Sequence, residues 1–145
     1  MKKILILVCV SIVLSTTSCT SISYMLKSMG EMRKSANLVY DFFEAISKND
    51  MSSAEEMLHP KSELCGDGLK EYLSLVEEEL GISFSEHLAI QSDTTALSAN
   101  PDFERGYVTK ASIFFNKQPY KLSVLTVSDT NGFGIYSIII APYEE

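Results

Sequence analysis

The hydrophobic period of this chain changes once, at Gly81, and that change limits the fold more than any other feature. Before it, apolar residues recur every three or four positions; after it they alternate. In "SANLVYDFFEAISKND", Ala36, Val39, Phe42, Phe43 and Ile46 mark one face of an amphipathic helix that ends at Asn49-Asp50. Ser52 and Glu55 have the spacing of a capping box at the start of a short second helix, which His59-Pro60 stops. A third helix follows Asp67 as N-cap, with Leu69, Tyr72, Leu73, Val76 and Leu80 inward and Gly81 as its C-terminal stop. Its Glu77-Glu78-Glu79 run reads as a solvated face, because consecutive helix positions diverge by about 100° and cannot converge on one ion.

Beyond Gly81 the residues Ser85 to Ser92 form a moderate strand, and a polar connection follows with a strand stub at Thr94 to Ser98. Three strands rich in Val, Ile, Thr, Tyr and Phe close the chain, at Gly106 to Asn116, Tyr120 to Asp129 and Phe133 to Pro142. Thr130-Asn131-Gly132 predicts one tight hairpin, since Asn-Gly tolerates positive φ, and Asn116-Lys117-Gln118-Pro119 predicts the other. Helices followed by an antiparallel meander define an α+β fold with the helices on one face of the sheet. Tyr107, Ile113, Phe115, Leu122, Val124, Ile135 and Ile139 share one parity. Val108, Phe114, Leu125, Val127, Tyr136, Ile138 and Ile140 share the other. With both faces apolar, either a homodimer through the outer face or strong curvature is expected.

The front end carries a separate signal. Lys2-Lys3 precedes an apolar run from Ile4 to Leu14, which suits a secretory h-region and is shorter than the roughly 20 residues of a membrane span. Ser15-Thr16-Thr17-Ser18-Cys19 then resembles the lipobox of bacterial lipoproteins, although Thr16 stands where Leu is usual. The resemblance implies a signal peptide at 1–18 and diacylglyceryl attachment at Cys19. It also implies a lipidated, partly helical tether at 19–34 and one domain at 35–145. Thr20 after the cysteine implies the outer membrane, at its periplasmic or surface face. The alternative is ordinary cleavage near Ser18, leaving Cys19 a free thiol.

Removal of residues 1–18 takes away Lys2 and Lys3, so 10 basic residues face 19 acidic ones and the net charge moves from -7 to -9. Nucleic acid and anionic lipid surfaces are disfavoured as partners of the chain as a whole. With Cys9 in the h-region and Cys19 lipidated, only Cys65 remains, so no internal disulfide is expected. Cys65 reads as a quiet, half-buried thiol in a loop. Met25, Met29 and Met32 form one greasy helix face rather than a copper site.

The segments "LVYDFFEAISKNDMSSAEEMLHP" and "YKLSVLTVSDTNGFGIYSIIIAP" resemble the nuclear transport factor 2-like (cystatin-like, SnoaL-like) domains of small bacterial lipoproteins of unknown function. The resemblance implies a curved sheet wrapped around the helices as a cone. Enzymes of that superfamily place an Asp or a His-Asp pair with a Tyr inside the cone, and no such set can be matched here residue by residue. Tyr72, His87 and Tyr136 are the candidate ligand-binding residues. His59 is expected to cap a helix or lie on the surface, and Asp41 to be solvated. No metal-ligand spacing, Gly-rich phosphate loop or nucleophile elbow is present, so no catalytic residue, cofactor or metal is assigned. The expected function is a lipid-anchored binding or protein-interaction module for an unknown protein or small molecule. An enzyme acting on a small apolar molecule inside the cone, and a toxin-neutralising lipoprotein, are the alternatives.

Overall fold

The computed structural model describes residues 2–86, 88–98 and 102–143, with the backbone alone for 2–22 and Ser92. Two compact units divide the chain, residues 1–31 and 32–145. The elements are α1 (Lys2–Ser47), α2 (Met51–Glu56), α3 (Gly68–Leu80), β1 (Leu88–Ser98), β2 (Arg105–Phe115), β3 (Gln118–Asp129) and β4 (Gly132–Pro142). The segment read as a partly helical tether is helical throughout. Among the described residues no helix is long and apolar enough to cross a membrane. In the first unit Tyr24, Met25, Leu26 and Met29 are exposed.

In the second unit four antiparallel strands lie in sequence order β1-β2-β3-β4, an open α+β meander. Leu58 adds one parallel bridge to Ile135 at the free edge of β4, where the His59 N–H donates to the Ile135 carbonyl and the Ile135 N–H to the Met57 carbonyl. Val39, Phe42, Phe43 and Ile46 of α1 pack with Leu69, Leu73 and Val76 of α3 against Ala111, Ile113, Phe115, Leu122 and Val124 of the sheet. Each buried aromatic or aliphatic side chain contributes about 1.5–3 kcal/mol through removal from water. Val39, Phe42, Phe43 and Ile46 of α1 and Leu69, Leu73 and Val76 of α3 are buried as their period predicts, whereas Ala36, Tyr72 and Leu80 are half-buried and Ser35 and Ala45 join the buried set.

Turn chemistry departs from the sequence reading in instructive ways. Asp50, rather than Ser52, caps α2, its carboxylate accepting from the Ser53 N–H at 3.2 Å and the Ser53 hydroxyl at 2.7 Å. Those two bonds hold the Asp50 carboxyl below its ordinary range. Asp67 occupies the N-cap of α3 without a side-chain capping bond, and Gly81 ends it in the left-handed conformation at φ 63°. Glu77 is not merely solvated, since its carboxylate accepts from the Phe84 N–H at 2.7 Å. The left-handed pair of a tight hairpin is Asn116 (φ 50°) and Lys117 (φ 68°), not Asn131-Gly132, of which only Gly132 has a positive φ (137°). At the β3–β4 turn the Asp129 carboxylate instead accepts from the Asn131 N–H at 2.7 Å, a side chain substituting for turn backbone.

Two bulges decide which residues face the core. The strand and the stub expected between Ser85 and Ser98 are one strand, β1, whose register shifts between Gln91 and Thr94. Asp93 in that bulge accepts from the Tyr40 hydroxyl of α1 at 3.1 Å. In the β3–β4 ladder Leu125 pairs with Ser137 and Thr126 with Ile135, so Tyr136 is the extra residue. Inverting parity there turns Ile138 inward and leaves Ile139 62% exposed, the reverse of the simple alternation. The outer face is therefore not a continuous greasy sheet. It carries Lys110, Ser112, Lys121, Ser123 and Ser137 among half-buried Val108, Phe114 and Leu125, and Val127 is fully buried.

Candidate functional site

The first cluster of chemistry-bearing side chains lies where the chain after α2 meets the β3–β4 turn. His59, expected at a cap or on the surface, is fully buried. Its Nε2 lies 3.0 Å from Asp129 Oδ1, and its Nδ1 accepts from the Lys61 backbone N–H at 3.2 Å. An Nδ1 that accepts puts the ring proton on Nε2, so a neutral imidazole donates to the carboxylate. Lys61 Nζ adds a second contact to Asp129 Oδ2 at 3.3 Å. Burial favours the neutral acid at Asp129. The bonds from the Asn131 backbone and side chain, then from His59 and Lys61, outweigh it and hold the carboxyl well below the usual aspartate range. Both imidazole nitrogens are occupied and the ring has no solvent access, so this pair latches the β3–β4 turn to the segment after α2 and has no free lone pair for proton transfer.

Between helices and sheet, ring contacts run without interruption from Phe42 to Phe43 (5.2 Å), Phe84 (6.5 Å), Phe115 (5.3 Å) and Tyr120 (5.7 Å). At the α1 side of β2 and β3 the fully buried hydroxyls of Ser35, Thr109 and Thr126 satisfy one another. Ser35 Oγ is 2.5 Å from Thr126 Oγ1 and 3.4 Å from Thr109 Oγ1. Thr95 joins Thr109 at 2.9 Å, and the Thr126 hydroxyl donates to the Tyr107 carbonyl at 3.3 Å. Among the described residues no buried side-chain polar atom lacks a partner, so this hydroxyl set offers a ligand no vacant bond.

The outer face of the sheet is different. A groove of about 450 Å³ lies over β2, β3 and β4, lined by Thr94, Lys110, Ser112, Lys121, Ser123 and Tyr143 with Ile139. The ladder sets its polar rows, Thr94 opposite Lys110, Lys110 opposite Ser123, and Ser112 opposite Lys121. Lys110 and Lys121 are thus diagonal neighbours on one face, with backbones roughly 7–8 Å apart. Tyr143, just past β4, reaches across β3 so that its hydroxyl lies 2.6 Å from Ser112 Oγ on β2. Lys121 Nζ sits 5.5 Å from the Tyr143 ring centroid. Among the described residues no lining residue is acidic and neither lysine is in an ion pair.

The residues singled out from sequence are not gathered at one place. Tyr72 of α3 packs against the core, and burial pushes its hydroxyl up to about 12 against the opposing effect of a hydrogen bond with the Ile140 backbone, so it stays a neutral phenol. Tyr136 lies four residues earlier on β4, roughly 13 Å along the strand, with its ring 4.6 Å from Phe103 and 6.2 Å from His59. His87 lies outside the described residues. So does the side chain of Cys19. Asp41 is exposed, as expected. Cys65 is exposed rather than half-buried, with its thiol donating to the His59 carbonyl at 3.3 Å. Among the described residues no group of three or more His, Cys, Asp or Glu side chains converges as a metal site would require. The outer groove was missed because its lysines and serines are non-adjacent in sequence. Only the alternating polar positions Lys110, Ser112, Lys121 and Ser123 foreshadow it. Comparison with protein-family models, curated proteins and solved structures finds no match to this chain.

Proposed function

We propose that this chain is a lipid-anchored extracytoplasmic binding module, held to a bacterial envelope through Cys19 and working through the outer face of its sheet. On this reading the domain is a filled variant of the nuclear transport factor 2-like plan. The helices-then-meander order and the edge pairing of the chain after α2 with β4 support that kinship. The observation that carries the binding role is the contrast between the two faces of the sheet. The inner one is occupied by stacked aromatic rings and mutually satisfied hydroxyls, whereas the outer one holds an open groove whose two lysines make no ion pair among the described residues. That contrast weighs against catalysis on an apolar molecule inside a cone.

Two measurements test the reading. Full-length Cys19→Ala should leave the membrane fraction and lose its acyl mass, and a variant that keeps both would sink the anchor. A photo-crosslinking residue at Ile139 on the outer face should yield adducts in the envelope, and one at exposed Leu75 on α3 should not. Equal yields, or none at Ile139, would overturn the outer face as the working surface.

A further inference from the structure

The outer groove has a chemical character that narrows its ligand, on the reading that this face is the working surface. The chain is acidic overall, at -7, and repels anions at a distance. Against that background two lysines stand on adjacent strands in one groove, and among the described residues its lining includes no carboxylate. The two exposed ammonium groups can exchange water for a ligand's oxyanion, and their diagonal placement lets both reach the same one. Around them the hydroxyls of Thr94 and Ser123 can donate to or accept from a ligand hydroxyl.

The wall of the groove is built rather than accidental. Tyr143 is fastened to Ser112 two strands away, and its ring stands beside Lys121. Ile139, 62% exposed because the Tyr136 bulge turned it outward, supplies the apolar patch beside it. A flat aromatic and an aliphatic surface suit the C–H face of a saturated ring. The volume, about 450 Å³, falls within the range of small-molecule pockets. A bare inorganic anion would leave the hydroxyl row and the Tyr143 wall unused.

We infer that the groove over β2, β3 and β4 binds a small anionic sugar, its carboxylate or phosphate held between Lys110 and Lys121 and its ring lying against Tyr143 and Ile139. The ligand class is a hydroxylated ring bearing one oxyanion, whether a uronate or a sugar phosphate.

The test is an amide NMR titration of the full chain in neutral detergent with glucuronate, glucose 1-phosphate, glucose and inorganic phosphate. Saturable shifts at Ser112, Ser123 and Ala141 are expected with either anionic sugar, whichever source the oxyanion has. Glucose should shift nothing, and phosphate alone should bind at least about tenfold more weakly than its sugar ester. Lys110→Gln and Lys121→Gln should each weaken binding roughly tenfold, the loss of one charge-assisted contact. Lys70→Gln on exposed α3 should not. Unchanged amide shifts outside the groove identify variants that still fold, and both lysines are exposed, so folding should survive. Binding of glucose equal to that of glucuronate, parity of phosphate with its ester, indifference to both lysine substitutions, or no shift with either anionic sugar would overturn the proposal. If crosslinks form at Ile139 while no sugar binds, the outer face remains the working surface and only the ligand assignment falls.

Discussion

His59 Nε2 and Asp129 Oδ1, 70 positions apart in the chain, meet at 3.0 Å and tie the turn between β3 and β4 to the segment that follows α2. With His59 fully buried, removing its ring leaves a cavity, an orphaned Lys61 N–H and an Asp129 short of one donor. His59→Ala should therefore cost about 2–4 kcal/mol in urea unfolding. A loss under about 0.5 kcal/mol would show that the pair is incidental.

The same contact makes stability depend on acid in a defined direction. Asp129 has a lowered native pKa, so its contribution is fully present above the unfolded aspartate value of about 3.9 and is lost as the pH falls below it toward the native value. The stability gap between the wild type and Asp129→Asn should narrow as the pH falls from about 3.9 toward the native value. A gap that widens toward low pH would contradict the assignment.

Gly134 is required by backbone proximity rather than by its own dihedral. A Cβ there would sit 2.5 Å from the His59 nitrogen and 2.7 Å from the Leu58 carbonyl carbon, both main-chain atoms of the edge pairing. Gly134→Ala should cost about 3 kcal/mol and raise amide exchange at His59, whereas a neutral effect would mean the edge segment moves freely.

Ser35→Ala and Thr126→Val each break the 2.5 Å hydroxyl contact between α1 and β3. Each should cost about 1 kcal/mol, and the double variant should cost less than the sum because the two share one bond. Full additivity in a double-mutant cycle would show that the contact is energetically silent.

Lys117 holds φ 68° in a hairpin turn, where a side chain is strained. Lys117→Gly would complete an Asn-Gly pair at residues 116 and 117 and should raise stability by about 0.5 kcal/mol, with relief of strain exceeding the added flexibility of the unfolded chain. A fall in midpoint would show that the side chain contributes more than its backbone costs.

Local periodicity determined much of this protein. The inward faces of α1 from Val39 to Ile46 and of α3 from Leu69 to Val76, the stop at Gly81 and the three long strands follow from which residues recur at 3.6 and at 2, a property of neighbours in the chain. Only the tertiary structure decided the rest. The extra residue at Tyr136 cannot be seen by counting along β4, because a bulge is defined against the partner strand, and it alone sends Ile138 inward and Ile139 outward. The burial of His59 depends on Asp129, 70 positions away. Lys110 and Lys121 face one groove because the β2–β3 register makes them diagonal neighbours, with Tyr143 folded across both strands to wall it. Side chains distant in sequence acquire a common chemistry only when strand register and a bulge place them on one surface.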